Sequence, residues 1–245
     1  MKKILLLIIL FSFNFTFACS CLFTTLSNAY HRADFVAEIT VLNVYGNNAT
    51  KNTYKADIKF ERFFKGKSEI KTLDVAGNIG NFSSTSCQLS LRANAKYLIF
   101  LNNNNKIVTS CTPHYILDDN SYQSKISAVE NLFSFLEKNT TKNDEFIFYF
   151  EKNKKGKSSI SKLKNFKPKN NFAVYEITSN SKNVIGAVKN ISEFGDRDNE
   201  IAKLIKKNLN RDLTEYLGKR ILIAFVYIPE YIPIKYRDHV TSELY

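Results

Sequence analysis

Four cysteines in 245 residues, two of them written Cys19-Ser20-Cys21 directly behind an export leader, constrain this chain more than any other feature. The leader has Lys2 and Lys3, then an apolar run over residues 4–10 with Phe11, then Thr16 and Ala18 at the small-residue positions before a cut. Residues 1–18 are therefore expected to be removed, so that the mature chain starts at Cys19. The apolar run falls short of the about 20 residues that span a bilayer, and no later segment approaches that length. The expectation is a secreted or surface-attached, extracytoplasmic product with no transmembrane helix after processing.

Cys19, Cys21, Cys87 and Cys111 can pair in three ways. A Cys19–Cys21 bridge would strain a three-residue ring, which leaves two connectivities. Either ties the mature N-terminus twice into the body of the domain. Each bridge closes a loop of more than sixty residues, for which chain entropy gives about 4 kcal/mol. A free Cys19 α-amine, the adjacent carbonyl oxygen and a neighbouring disulfide together form a bidentate chelator for a metal ion held by another protein. Two bridges that only staple the fold are the plain alternative. A lipid-modified Cys19 is another; it would tether the chain to a membrane and acylate the amine. Against lipidation, Thr16 stands where Leu or Val is usual, and an odd thiol would be left over.

The formal charge of +12 is diffuse. Residues 19–120 hold 11 Lys/Arg against 8 Asp/Glu, and residues 121–245 hold 22 against 15, so the excess lies in the second half. It concentrates in KNKKGK (152–157) and KNFKPK (164–169). Such runs attract nucleic acid or anionic lipid, but more often they are solvated turns. No nucleic-acid motif accompanies them, so nucleic acid is not an expected partner. His31, His114 and His239 are far apart, without a His-x-x-x-His spacing. No nucleophile-elbow motif is present, and Asp118-Asp119 reads as a turn or helix entry. No catalytic residue, cofactor or metal site of its own is expected, and an enzyme is the least favoured class. Asn48-Ala49-Thr50, Asn81-Phe82-Ser83, Asn139-Thr140-Thr141 and Asn190-Ile191-Ser192 match the glycosylation triplet. They matter only in a host that glycosylates such sites.

The first half reads as β-structure. Phe35, Ala37, Ile39 and Val41 share one face of a strand over 35–44, and Tyr54, Ala56, Ile58 and Phe60 alternate with Lys55, Asp57, Lys59 and Glu61. Phe64-Lys65-Gly66-Lys67 punctuates the chain before a strand over 70–75. Residues 97–101 and 106–111 flank four asparagines, which predicts a hairpin. Five mostly antiparallel strands stapled by disulfides suit a small β-barrel of the OB-fold type. A helix follows, with Ile126, Val129, Phe133 and Leu136 as its stripe, Asn120 or Ser121 as its cap, and the barrel as its packing surface. Residues 139–144 read as a linker between a domain over 19–138 and one over 145–245. In the second, strands are expected at 145–151, before a turn at 153–156, and at 172–177 and 184–188. A short helix capped by Asp198 carries Ile201, Leu204, Ile205 and Leu209. Residues 219–228, apolar on both faces, read as a central strand. The second half is therefore a small α+β domain.

Residues 19–120 resemble the inhibitory domain of the tissue inhibitors of metalloproteinases, within the netrin-like group of OB-fold modules. The resemblance is carried by Cys19-Ser20-Cys21, Ala29-Tyr30 with Ala33-Asp34-Phe35-Val36, Phe64-Lys65-Gly66, Cys87, Tyr97-Leu98-Ile99-Phe100 and Cys111. It implies the bridges Cys19–Cys87 and Cys21–Cys111. It implies a partner, a zinc metalloendopeptidase whose metal is chelated by the Cys19 amine and carbonyl, while Ser20 enters the pocket beside it. The chain departs from the family at His31, where a further cysteine is usual, over residues 22–28, and in lacking a cysteine-rich second domain. The alternative is a non-inhibitory netrin-like binding or structural module of the cell envelope, tethered through a lipidated Cys19. A fainter similarity links Phe146-Ile147-Phe148-Tyr149-Phe150, Lys154-Lys155-Gly156-Lys157 and residues 221–228, within 145–230, to the C-terminal domain of TonB-type proteins. It implies no function.

Overall fold

The computed structural model describes residues 21, 24–80, 87–103, 107–117, 123–141, 143–149, 160, 163, 166–181, 184–209, 212–228 and 239–241. The leader, Cys19, Ser20, the capping candidates Asn120 and Ser121, Asp118-Asp119, the basic run 152–157 with its expected turn, and the Asn81 triplet lie outside these residues. The described chain is mostly β, with two sheets and three helices. Its order is α1 (Leu26–Arg32), β1 (Phe35–Asn48), β2 (Thr53–Lys65), β3 (Thr72–Ala76), β4 (Lys96–Leu101), β5 (Ile107–Val108), β6 (His114–Ile116), α2 (Gln123–Asn139), β7 (Asp144–Phe146), β8 (Phe172–Ser181), β9 (Val184–Ser192), α3 (Asp198–Asn208), β10 (Arg220–Ile228) and β11 (His239–Thr241).

The first sheet runs β5-β3-β2-β1-β4-β6, with β3 and β5 parallel and the other pairs antiparallel. Phe35, Ala37, Ile39 and Val41 point to one side, as their alternation predicts. There they meet Tyr54, Ala56 and Ile58 of β2, Leu73 and Val75 of β3, Tyr97, Ile99 and Leu101 of β4, and Val108 of β5. Side chains from five strands converge on one interior, so the sheet curls. Register shifts along β1 and β2 supply the local bending that a curled sheet needs.

The expected hairpin between 97–101 and 106–111 is not formed. β4 pairs with β1 and β6, while β5 crosses to lie parallel to β3. The reason is burial on both faces: Tyr97, Ile99 and Leu101 enter the curled interior, and Leu98 and Phe100 face the helices. Such a strand needs a neighbour on each side. The two-residue β5 instead contributes Val108 to the interior beside Val75.

Helix α2 packs on more than the first sheet. Val129, Phe133 and Leu136 are buried as the stripe predicts, with Ile126 partly so, and Ala128 and Leu132 widen the apolar surface. One core then joins Val36, Leu98 and Phe100 of the first sheet to Phe146, Val174, Leu222, Ala224 and Val226 of the second. The helix is the shared layer between two sheets. Phe133 stacks on Tyr30 at 4.5 Å and meets Phe64 and Phe100 edge-on at 5.6 and 6.0 Å.

The stretch 139–144, read from sequence as a linker, is tied down at its described residues. Thr141 N–H donates to Asp144 Oδ2 at 3.0 Å, and Asp144 is buried. Arg220 pairs with Asp144 at 3.1 Å and Glu176 at 2.9 Å and donates to the Asn139 carbonyl at 3.2 Å. The second sheet runs β11-β10-β8-β9, with β7 parallel on β10. As its composition predicts, β10 is buried on both faces. Leu222, Ala224 and Val226 meet the shared core, while Ile221, Ile223 and Phe225 meet α3 through Ile201 and Ile205.

Asp198 is not the cap of α3 but its first residue; Arg197 takes the cap position at φ 55° without a side-chain capping bond. The Asp198 carboxylate instead accepts from Phe194 N–H, Gly195 N–H and the Tyr175 hydroxyl, at 2.9, 2.8 and 2.9 Å. Burial, then Asp198, pushes the Tyr175 phenol far above its ordinary range. A carboxylate in the first turn also suits the positive end of the helix dipole.

Candidate functional site

The candidate site is the rim where the chain enters α1. Cys21 and Cys111, 90 positions apart in sequence, form a disulfide with Cα atoms 5.1 Å apart. Cys111 sits in a turn that holds itself. Thr109 N–H donates to Thr112 Oγ1 (3.0 Å), Cys111 N–H to Thr109 Oγ1 (3.1 Å), and Thr112 N–H to the Thr109 carbonyl (3.0 Å). The neighbouring Ser110 N–H donates to the Cys87 carbonyl at 3.2 Å. Cys87 is also disulfide-bonded, and no described cysteine is a free thiol. Three of the four cysteines therefore gather on one rim. The Cys21–Cys111 pair agrees with the pairing that the resemblance implies; Cys19 and Ser20 lie outside the described residues.

Helix α1 is fixed from three sides. Thr25 caps it by accepting from Asn28 N–H at 2.9 Å. Asn28 exchanges two hydrogen bonds with the backbone of Phe146, at 2.7 and 3.3 Å, and so ties the helix to β7. At the other end Lys65 Nζ donates to the Tyr30 and His31 carbonyls at 2.8 and 2.9 Å and lies 5.3 Å from the Tyr30 ring. A cation suits a helix C-terminus, where unpaired carbonyls collect. The Phe64 carbonyl accepts from the Tyr30 hydroxyl at 3.1 Å. Gly66 follows at φ +60°, where a Cβ would stand 2.3 Å from the Asp34 carbonyl oxygen. Phe64-Lys65-Gly66 is thus a clamp on the end of α1, with the glycine required by close backbone approach.

Burial, then Glu137, raises the Tyr30 phenol to about 12. Ser27 Oγ and His31 Nε2 are buried without a hydrogen-bond partner. The three histidines are not brought together. His31 lies in the last turn of α1, His114 opens β6 and His239 opens β11. His114 Nδ1 lies 2.7 Å from the Thr112 carbonyl, which only accepts, so Nδ1 carries the proton. Among the described residues no group of three or more His, Cys, Asp or Glu side chains could hold a metal ion.

Sequence reasoning missed α1. Seven residues give only one apolar i,i+4 pair, Leu26 and Tyr30, and the Thr25 cap is a weak signal alone. No family model matches the sequence, and no curated protein matches it either.

Proposed function

We propose that the mature chain inhibits a zinc metalloendopeptidase through its N-terminus, and that the first sheet is an OB-type barrel of the netrin-like group. The Cys19 amine nitrogen and carbonyl oxygen take the coordination position that a catalytic zinc otherwise keeps for water. Ser20 enters the pocket beside the metal. The bridges Cys19–Cys87 and Cys21–Cys111 hold the wedge rigid, which spares the ordering cost that a loose terminus pays on binding.

The observation that supports this most is the cysteine rim: Cys21 bonded to Cys111, with the Cys87 backbone against Ser110, just ahead of a fixed α1. The Cys19–Cys87 bridge is part of the pairing implied by the resemblance, and Cys87 standing beside the Cys21–Cys111 turn supports it. The barrel reading draws on the curled sheet with β1 at its centre and β5 parallel to β3. An extracytoplasmic location suits the disulfide, and no helix among the described residues is long and apolar enough to cross a membrane.

The competing reading is a non-inhibitory envelope module lipidated on Cys19, favoured by that cysteine standing directly behind the leader. Intact-mass spectrometry of the exported protein separates the two. A chain starting at unmodified Cys19 supports inhibition. A lipid adduct there removes the chelating amine and leaves the envelope module.

A further inference from the structure

Helix α1 cannot hold its own place. Its seven residues fall short of the about 12–15 that an isolated helix needs in water. Ser27 Oγ and His31 Nε2, both buried in it, have no hydrogen-bond partner among the described residues. The position of α1 is therefore set from outside. Phe64 and Lys65 of the first sheet hold its C-terminal end. The tie nearer its start comes from the second sheet, 118 positions along the chain.

That tie has a defined geometry. β7 lies parallel to β10, with Glu145 against Ile221 and Phe146 against Leu222, and Ile147 N–H donates to the Leu222 carbonyl at 2.9 Å. Main-chain groups of successive strand residues alternate in direction, so those of Phe146 turn away from β10, onto the outer edge of β7. Asn28 fills that edge. Its Nδ2 donates to the Phe146 carbonyl at 2.7 Å, and its Oδ1 accepts from Phe146 N–H at 3.3 Å. One carboxamide thus supplies the donor and the acceptor that a neighbouring strand would. A turn later Arg32 lies 3.8 Å from Glu145, which Lys219 holds at 2.7 Å.

Cys21–Cys111 pins the chain to the rim of the first sheet, and Asn28, seven positions later, pins it to the second. A disulfide alone lets a short segment swing about it; an anchor on another sheet removes that freedom. We infer that the second sheet positions the N-terminus. Asn28, docked on the edge of β7, fixes α1 and with it the direction in which the chain leaves the rim at Cys21. Asn28 is a positioning residue, and the second half of the chain, which shows no site of its own, acts as a brace. The consequence for inhibition rests on the reading proposed above, because a wedge already oriented binds without the ordering cost of a loose one.

The test compares the full mature chain with Asn28→Ala and the isosteric Asn28→Asp, which sets an anionic oxygen against the Phe146 carbonyl. Hydrogen exchange needs no protease. Amides of residues 29–33 should exchange roughly tenfold faster in both variants, while those of β1 and β4 keep their rates. The second reading is dissociation from an inhibited zinc metalloendopeptidase, far below the unfolding midpoint, where a loss of global stability has no effect on it. That rate should rise roughly tenfold in both variants. Unchanged exchange in α1, exchange that rises equally in the sheets, or faster α1 exchange with an unchanged dissociation rate would each overturn the proposal. If the unaltered chain does not inhibit, the inhibitory reading falls, and the exchange result still decides whether the second sheet sets α1.

Discussion

The two sheets solve the same burial problem differently. The first curls so that five of its strands bury one face against each other, and it needs a helix only for the outward Val36, Leu98 and Phe100. The second stays open and needs cover on both sides, α2 on one and α3 on the other. The difference shows which half depends on which. The curled sheet holds an interior of its own, whereas the open sheet borrows α2 from the preceding half of the chain. A boundary at 139–144 therefore leaves one core on each side of it, with a third, built around α2, lying across it.

The sharpest way to break this comparison is to damage the shared layer. Phe133→Ala removes a fully buried ring that touches Tyr30, Phe64 and Phe100, and should cost about 3–5 kcal/mol. Because the layer is shared, denaturant unfolding followed by near- and far-ultraviolet circular dichroism should move as one transition. A transition confined to one half would mean that the sheets are independent.

A smaller effect is expected at the seam between α2 and the second sheet. Arg220→Ala leaves Asp144 buried without its cation. Breaking such a pair costs about 3 kcal/mol, the low end of the range for buried pairs, because the guanidinium is partly exposed. Both probes of unfolding should again shift together. A shift below about 0.5 kcal/mol, the range of ordinary surface substitutions, would contradict the anchoring role.

The smallest effect concerns the phenol that joins α1 to α2. Tyr30 is raised to about 12, against about 10 in an unfolded chain. Its contribution is thus complete below pH 10 and is lost as pH rises through about 12. Tyr30→Phe should flatten that stretch of the alkaline stability curve, read from denaturant midpoints on either side of pH 10. Other tyrosines are raised as well, so only part of the slope should go; an unchanged slope would remove Tyr30 from the account.

Much of this fold was legible because alternation and helical spacing report burial directly. Phe35, Ala37, Ile39 and Val41 face inward as read, and β10, apolar on both faces, is the covered central strand. The α2 stripe was visible, but Ala128 and Leu132, which meet more than one surface, look like ordinary helix fillers. The hairpin after β4 failed because four asparagines mark a turn without saying which strand the chain joins next. Short elements such as α1, β6 and β11 carry too few residues for a period. At the candidate site the Cys21–Cys111 pair followed from the resemblance, while geometry alone left two connectivities open. The clamp of Lys65 on the end of α1 depends on residues 34 apart in sequence and has no local signature.

The most direct measurement compares inhibition of a zinc metalloendopeptidase by the mature chain and by a variant with one alanine added ahead of Cys19. Chelation by the terminal amine predicts that the mature chain inhibits and that the extended chain, equally folded, does not. The activity of the mature chain should also fall on acidification, as an amine with a reference pKa of about 8 takes up its proton. Equal inhibition by the extended chain would contradict the account at its centre.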